Sequence, residues 1–144
     1  MSAFYEVMKL VEGWQPEAFP TELKYRDSLA ALLRAQLEGT IETEYRHAGT
    51  TIDVYVKQAG FWKPSKVYIE LKRNLLHKAQ LDRLVGQLES LAPKKNSIIV
   101  LLCGETSPSL LTRLTEKYDT NSIIAIEPTT AIVTKPPGKQ TASR

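Results

Sequence analysis

The chain has 144 residues, a length typical of one compact domain. Its 42% hydrophobic and 24% charged residues are ordinary for a globular protein and exclude a disordered, collagen-like or coiled-coil chain. No apolar run approaches the roughly 18 residues that a membrane span needs, so we expect no membrane partner. The first residues lack the pattern of a secretory signal, and the single Cys103 excludes an internal disulfide, so we expect a cytoplasmic protein.

The net charge of +3 is distributed unevenly along the chain. Residues 1–56 carry five Lys or Arg against nine Asp or Glu, whereas residues 57–95 carry nine against three. Residues 134–144 are basic, contain two prolines and lack large apolar side chains, which predicts a flexible tail after a single domain of residues 1–133. Without this tail the chain is neutral, so the net charge alone does not indicate a nucleic-acid partner.

Helical spacing of apolar residues predicts a short helix over 4–12 and a second helix from Thr21 to about Gly39. The period then changes to two, and residues 40–47 and 51–56 are predicted strands of a hairpin.

The rest of the chain alternates between strand and helix patterns. Ser97 to Cys103 is a continuous apolar run, which is typical of a strand covered on both faces. The order of elements predicts an α/β fold in which a mixed central sheet, a three-strand meander plus further strands, is flanked by helices. The predicted elements are a strand at 66–73, a helix at 77–91, strands at 97–103, 123–126 and 130–134, and a helix at 108–118.

Charged residues in two of the predicted strands require an explanation. Asp53 lies in the second strand, where aspartate is disfavoured, and Glu70 and Lys72 lie two residues apart on one face of the third. If these strands pair, the two carboxylates converge beside one ammonium group. Two carboxylates that share a site repel each other unless a cation such as Mg²⁺ lies between them. The simpler interpretation is an alternating strand with a solvated Glu–Lys face.

The arrangement of Asp53 and Glu70-Leu71-Lys72 resembles the PD-(D/E)XK nuclease superfamily, which includes Holliday-junction resolvases and RecB-type nuclease domains. The resemblance covers residues 20–126 and implies a restriction-endonuclease-like core. It implies that Asp53 and Glu70 bind Mg²⁺ or Mn²⁺, that the carbonyl of Leu71 adds a ligand, and that Lys72 orients the attacking water. It also implies DNA as the substrate and makes a homodimer an expectation. Ile52 stands where many members have proline.

Further residues fit the same site. Glu22 extends the inward face of the second helix, and many family members place a metal- or water-binding Glu there; a helix dipole explains a first-turn acid equally well. Gln87-Leu88-Glu89-Ser90-Leu91 resembles the Gln-Leu-x-x-Tyr motif of RecB-type nucleases, with Leu91 in place of Tyr. Gln87 is therefore a candidate catalytic or DNA-contacting residue. Gln80 and Arg83 share its flank, which is otherwise an ordinary polar helix surface.

Basic residues around these motifs are candidate contacts to a phosphate backbone. Three lysines surround Phe61 and Trp62 in a loop expected next to the site, where an aromatic ring could stack on a base. A partly packed loop with a solvated rim explains this pattern as well. The candidate nucleic-acid-binding residues are Lys57, Lys63, Lys66, Arg73, Lys78 and Arg83.

The first functional hypothesis is a divalent-metal-dependent deoxyribonuclease that hydrolyses phosphodiester bonds. The alternative is a non-catalytic module of the same fold that binds nucleic acid or a protein. A small α/β enzyme of unrelated chemistry is a weaker hypothesis, because the sequence shows neither a nucleophile–base pair nor a glycine-rich phosphate loop.

Overall fold

The computed structural model describes residues 3–47, 49–60, 62–118 and 129–137. These residues form four helices and five strands, which confirms the predicted α/β class with a mixed sheet and flanking helices. The helices are α1 (Ala3–Gly13), α2 (Glu22–Gln36), α3 (Lys78–Ser90) and α4 (Pro108–Tyr118). The strands are β1 (Thr40–His47), β2 (Thr50–Gln58), β3 (Ser65–Leu75), β4 (Ser97–Thr106) and β5 (Thr130–Lys135).

The strands lie in one sheet in the order β1-β2-β3-β4-β5, so each strand is the neighbour of the next in the chain. The first three form an antiparallel meander, while β3–β4 and β4–β5 are parallel. Parallel neighbours need a crossover along one face of the sheet, and α3 supplies the crossover from β3 to β4. The C-terminal end of β3 and the N-terminal end of α3 therefore lie at the same edge of the fold.

Helices cover both faces of the sheet, and each face has its own apolar core. Helices α1 and α2 pack on one face, and α3 and α4 pack on the other. The first core includes Val7, Val11, Leu29, Leu33, Val54, Val56, Ile69, Ile99 and Leu101. The second core includes Tyr55, Tyr68, Leu81, Leu84, Leu88, Val100, Leu102, Leu110 and Leu114.

Local signals in the sequence set the helix boundaries. Thr21 has extended backbone angles and its side chain accepts a hydrogen bond from the Lys24 N–H at 3.2 Å, so α2 begins at the next residue.

The turn between β1 and β2 depends on a glycine. Gly49 takes a φ of +79° there, a conformation that glycine adopts without strain.

Two predicted segments differ from the structure or lie outside it. The predicted tail begins too early, because β5 continues through Thr134 and Lys135 and pairs with β4 as far as Cys103. The predicted strand at 123–126 lies outside the described residues. Among the described residues, no helix is both long and apolar enough to cross a membrane.

Candidate functional site

The candidate site forms where β2 leaves β3. Backbone pairing between the two strands runs from Gln58 and Ser65 to Val54 and Ile69 and stops there. In the next position the side chain of Asp53 replaces the backbone of β2: its Oδ2 accepts a hydrogen bond from the Leu71 N–H at 2.8 Å. A notch therefore opens at the C-terminal end of β3, and a side chain of the neighbouring strand lines it.

Helix α2 contributes a second carboxylate to the same edge of β3. Oε1 of Glu22 accepts a hydrogen bond from the Arg73 N–H at 3.0 Å. Alternate residues of a strand direct their N–H groups to the same edge, so the amides of Leu71 and Arg73 lie about 7 Å apart along it. Asp53 and Glu22 thus satisfy two successive amides that β2 leaves unpaired. We call Glu22, Asp53, Glu70, Leu71 and Lys72 the carboxylate notch.

The carbonyl of Leu71 faces the notch. In a strand, the N–H and C=O groups of one residue lie on the same edge, because a residue in a hydrogen-bonded pair exchanges both with one partner. The Leu71 N–H points to Asp53, so its carbonyl oxygen lies on the side that β2 has left. The backbone can therefore supply an oxygen ligand beside the two carboxylates, as the sequence resemblance implies.

Glu70 is buried in an otherwise apolar layer. Its side chain is only 2% exposed, and its neighbours on the same face of the sheet, Tyr68 along the strand and Val100 across it, belong to the second core. Oε1 of Glu70 has no hydrogen-bond partner among the described residues. A buried polar atom without a partner costs about 1–3 kcal/mol, and more when it is charged. Glu70 is thus held at an energetic disadvantage that a cation or a proton would relieve.

The pKa values of both carboxyl groups reflect this burial. Desolvation, followed by the nearby charge of Asp53, raises the pKa of Glu70 from 4.5 to about 8. Desolvation also raises the pKa of Asp53, although the Leu71 N–H and the charge of Lys72 oppose the shift. The charge of Asp53 thus raises the pKa of Glu70, although a hydrogen bond from the Asp53 backbone opposes the shift, and the charge of Glu22 adds to the raised pKa of Asp53.

Two cations act on this pair. Lys72 is half-buried on the same face of β3 as Glu70, and its charge lowers the pKa values of both Asp53 and Glu70. Arg26 lies one turn after Glu22 on α2 and also lowers the pKa of Asp53. Its guanidinium contacts Glu44 at 2.7 Å and Asp27 at 2.9 Å.

Arg26 is absent from the residues predicted from the sequence, although its spacing of four residues from Glu22 was a signal for it. Glu44, its partner in β1, has a φ of +53° and lies opposite the point where β2 leaves β3. The ion pair between Arg26 and Glu44 therefore connects α2 to β1, the strand that pairs with β2.

The basic loop after β2 does not adjoin the notch, contrary to the prediction. Lys57 follows Asp53 by four residues in β2, and Lys66 precedes Glu70 by four in β3, so each lies about 13 Å away along its strand. Lys63 lies beyond both, in the connection at the far end of the hairpin. The antiparallel register determines this outcome, because residues near the β2–β3 turn cannot also lie at the open end. Phe61 lies outside the described residues.

The predicted helix residues separate along α3. Gln80 is in its first turn, where its Oε1 accepts hydrogen bonds from the N–H groups of Leu76 and His77, both at 2.9 Å. Gln87 is exposed and lies about 10 Å further along the helix axis, away from the end that follows the notch. The structure therefore does not bring Gln87 to Asp53 and Glu70.

The other predicted phosphate contacts are also dispersed. Lys78 pairs with Asp82 at 3.0 Å on the surface of α3, and Arg83 is exposed one turn further along. Arg73 is nearer to the notch: its Nε donates to the carbonyl of Phe19 at 3.0 Å, on the segment between α1 and α2. Arg73 is therefore the one member of this predicted set that adjoins a notch residue.

The notch does not assemble three acidic ligands. Within the part of the chain that the structure describes, no group of three or more His, Cys, Asp or Glu side chains is arranged to hold a metal ion. Asp53 and Glu22 each have one carboxylate oxygen bound to a backbone amide of β3, whereas Oε1 of Glu70 has no hydrogen-bond partner among the described residues. Family models, curated proteins and solved structures were compared with this chain, and none matches it.

Proposed function

We propose that this protein is a divalent-metal-dependent nuclease that hydrolyses phosphodiester bonds in DNA at the carboxylate notch. The observation that carries the proposal is Glu70, a buried acid beside Asp53 with an oxygen that has no hydrogen-bond partner. A structural carboxylate at 2% exposure is normally paired with a donor or a cation. Here the described residues supply no such partner to Oε1, and a bound cation would.

The donor set suits Mg²⁺ or Mn²⁺. Mg²⁺ binds through one or two carboxylates and retains several waters, which fits Asp53, Glu70 and the carbonyl of Leu71. A third carboxylate is unnecessary for this ion, so the position of Glu22 on the Arg73 amide is compatible with the proposal. A bound Mg²⁺ would act as a Lewis acid and make a water molecule more acidic.

The chain's own residues would divide the remaining tasks. Leu71 N–H holds the Asp53 carboxylate in place, which limits the reorganisation that ligand binding requires. Lys72 is on the same face as Glu70 and would donate hydrogen bonds to the attacking water or to a phosphate oxygen, where its positive charge stabilises the developing negative charge. DNA is the substrate class that the resemblance of Asp53 and Glu70-Leu71-Lys72 to nuclease motifs implies.

Cleavage of plasmid and linear DNA with Mg²⁺ or Mn²⁺ tests this proposal. Asp53→Asn and Lys72→Met preserve side-chain size approximately and are expected to reduce cleavage at least about 100-fold, since the first removes a charge that would hold the metal and the second a charge that would stabilise the reacting phosphate. Glu116→Gln and Lys24→Met change the same charges at exposed helix positions and should leave cleavage unchanged.

Circular dichroism must show that the variants are folded. Cleavage that persists in folded Asp53→Asn and Lys72→Met would reject the assignment. Binding of DNA without cleavage, with any of these metals, would favour the non-catalytic module instead.

A further inference from the structure

A second cluster of charge lies at the opposite end of the sheet from the carboxylate notch. Lys63, Lys66 and Lys95 line a cleft of about 430 Å³ together with Asn96 and Ser97. We call this group the lysine cleft. It combines the start of β3 with the start of β4 and the loop before each, so distant parts of the sequence converge there. The sequence predicts a phosphate-binding role for Lys63 and Lys66 but offers no reason to join Lys95 to them.

The lysine cleft has an uncompensated positive charge. Its lining contains no Asp or Glu, and among the described residues none of the three lysines forms an ion pair. All three are exposed, so their ammonium groups are available to a ligand. Three like charges around one cleft raise the local positive potential and favour an anion.

The strand register adds a fourth cation. Lys57 and Lys66 are direct partners in the antiparallel β2–β3 pair, and both are exposed. Like charges directly opposite each other on a sheet destabilise the pair. This arrangement lowers stability in the free protein and becomes favourable when an anion lies between or over the two ammonium groups.

Helix α1 directs its positive end to the same region. The N–H of Ala3, in its first turn, donates to Oγ of Ser65, which also lines the cleft, at 3.1 Å.

Trp62 precedes Lys63 in the chain and is 90% exposed. Exposed aromatic rings next to lysines are typical of surfaces that stack on bases while cations hold the backbone, which favours a nucleic acid over free phosphate as the ligand.

We propose that the lysine cleft binds the phosphate backbone of a nucleic acid, at a surface separate from the carboxylate notch. Binding there needs no divalent metal and no cleavage. The proposal therefore stands or fails independently of the nuclease activity.

Fluorescence anisotropy of a labelled DNA duplex and of one of its strands, in EDTA and over a range of salt concentrations, tests the cleft. The triple variant Lys63→Ala, Lys66→Ala, Lys95→Ala is expected to bind at least about tenfold more weakly. The slope of log affinity against log salt should fall by about one for each lysine that no longer neutralises a phosphate, and so by about three. The matched control Lys9→Ala, Lys24→Ala, Arg113→Ala removes the same charge at exposed helix positions and should keep the wild-type slope.

Two results would overturn the proposal: equal loss of affinity in the triple variant and its control, or binding of polyglutamate as tight as that of DNA. Asp53→Asn, which is cleavage-deficient if the nuclease proposal holds, should retain the wild-type salt slope. DNA binding that depends on the three lysines, in a protein that never cleaves, would support the cleft and reject the nuclease.

Discussion

The two ends of β3 hold charge in opposite ways. At the C-terminal end, Glu70 is 2% exposed, its neighbour Asp53 is half-buried, and both carboxyl groups have raised pKa values. At the N-terminal end, Lys63 and Lys66 are exposed and form no ion pair with a described residue. The strand itself therefore carries a buried acid, Glu70, near one end and an exposed base, Lys66, near the other.

Each end would recognise a ligand in a different way. A buried carboxyl group with an unpartnered oxygen, as in Glu70, has already lost hydration, so a small hard cation that replaces this hydration binds with high selectivity. Solvated lysines lose little on binding and act through long-range attraction, which depends strongly on salt. We therefore expect metal binding and chemistry at the carboxylate notch, and salt-sensitive holding of the backbone at the lysine cleft.

The largest expected effect is on metal affinity, and it separates the two ends. Glu70→Gln keeps the size of the side chain but removes one of two carboxylate ligands, so Mn²⁺ affinity should fall at least about 100-fold. Lys66→Ala at the other end should change it less than about twofold, because its charge is distant and screened by salt. Isothermal titration calorimetry measures both. Equal affinities in wild type and Glu70→Gln would show that the notch does not hold the ion.

The pH dependence of stability should also distinguish the ends. The pKa of Glu70 lies above its ordinary value of 4.5, at about 8, so between these pH values the Glu70 carboxyl group holds its proton more in the folded chain than in the unfolded chain. Stability contributed by this protonated acid is present at about pH 5 and is lost as the pH rises to about 8. The metal-free wild type should therefore melt at a lower temperature at the upper end of this range than at the lower end. Glu70→Gln, which cannot ionise, should flatten this profile, whereas Lys66→Ala should preserve it.

Metal affinity should depend on pH in the opposite direction to metal-free stability. A cation binds the ionised form of Glu70, so Mn²⁺ affinity should increase as the pH rises from about 6 to about 8 and should change little above that. Calorimetry at several pH values measures this trend. An affinity independent of pH over this range would mean that Glu70 is not a ligand.

A smaller effect is expected at the edge of the notch. Glu22→Ala removes the acceptor of the Arg73 N–H and an acidic residue from the first turn of α2, and each contributes on the order of 0.5–1 kcal/mol. Chemical denaturation should show a loss of about 1–2 kcal/mol, the sum of the two contributions. Glu22→Gln retains an acceptor and should lose less. If Glu22 were instead a metal ligand, both variants would reduce Mn²⁺ affinity as strongly as Glu70→Gln does.

The smallest effect has the opposite sign. Lys66→Thr removes the like-charge pair with Lys57 and introduces a residue favoured in strands, so the free energy of unfolding should increase by a few tenths of a kcal/mol. DNA binding should weaken at the same time. If Lys66→Thr loses both stability and DNA binding, the Lys66 side chain stabilises the folded protein by packing and does not bind an anion directly.

Much of the fold could be predicted because its signals are local. The apolar run of β4 and the Thr21 cap of α2 follow from short stretches of sequence, and the structure contains both. The juxtaposition of Asp53 and Glu70 was predictable from strand order, because a short connection between two strands implies antiparallel neighbours.

Other features depend on register and on backbone details that a sequence pattern does not encode. The end of pairing at Val54 and Ile69 decides that Asp53 binds an amide of β3, and no residue type marks that point. The same register moves Lys57 and Lys66 away from the notch. Lys95 joins the cleft because β3 and β4 are parallel and begin at the same edge, which brings it near Lys66 although the two are far apart in the sequence.

Anomalous diffraction from a crystal containing Mn²⁺ would locate the ion directly. We predict one ion in contact with the carboxylates of Asp53 and Glu70 and with the carbonyl oxygen of Leu71, at oxygen–metal distances of about 2.0–2.4 Å. Glu22 should remain on the Arg73 amide. An ion bound elsewhere, or no ion at this position at a concentration that supports cleavage, would show that the carboxylate notch is not the metal site.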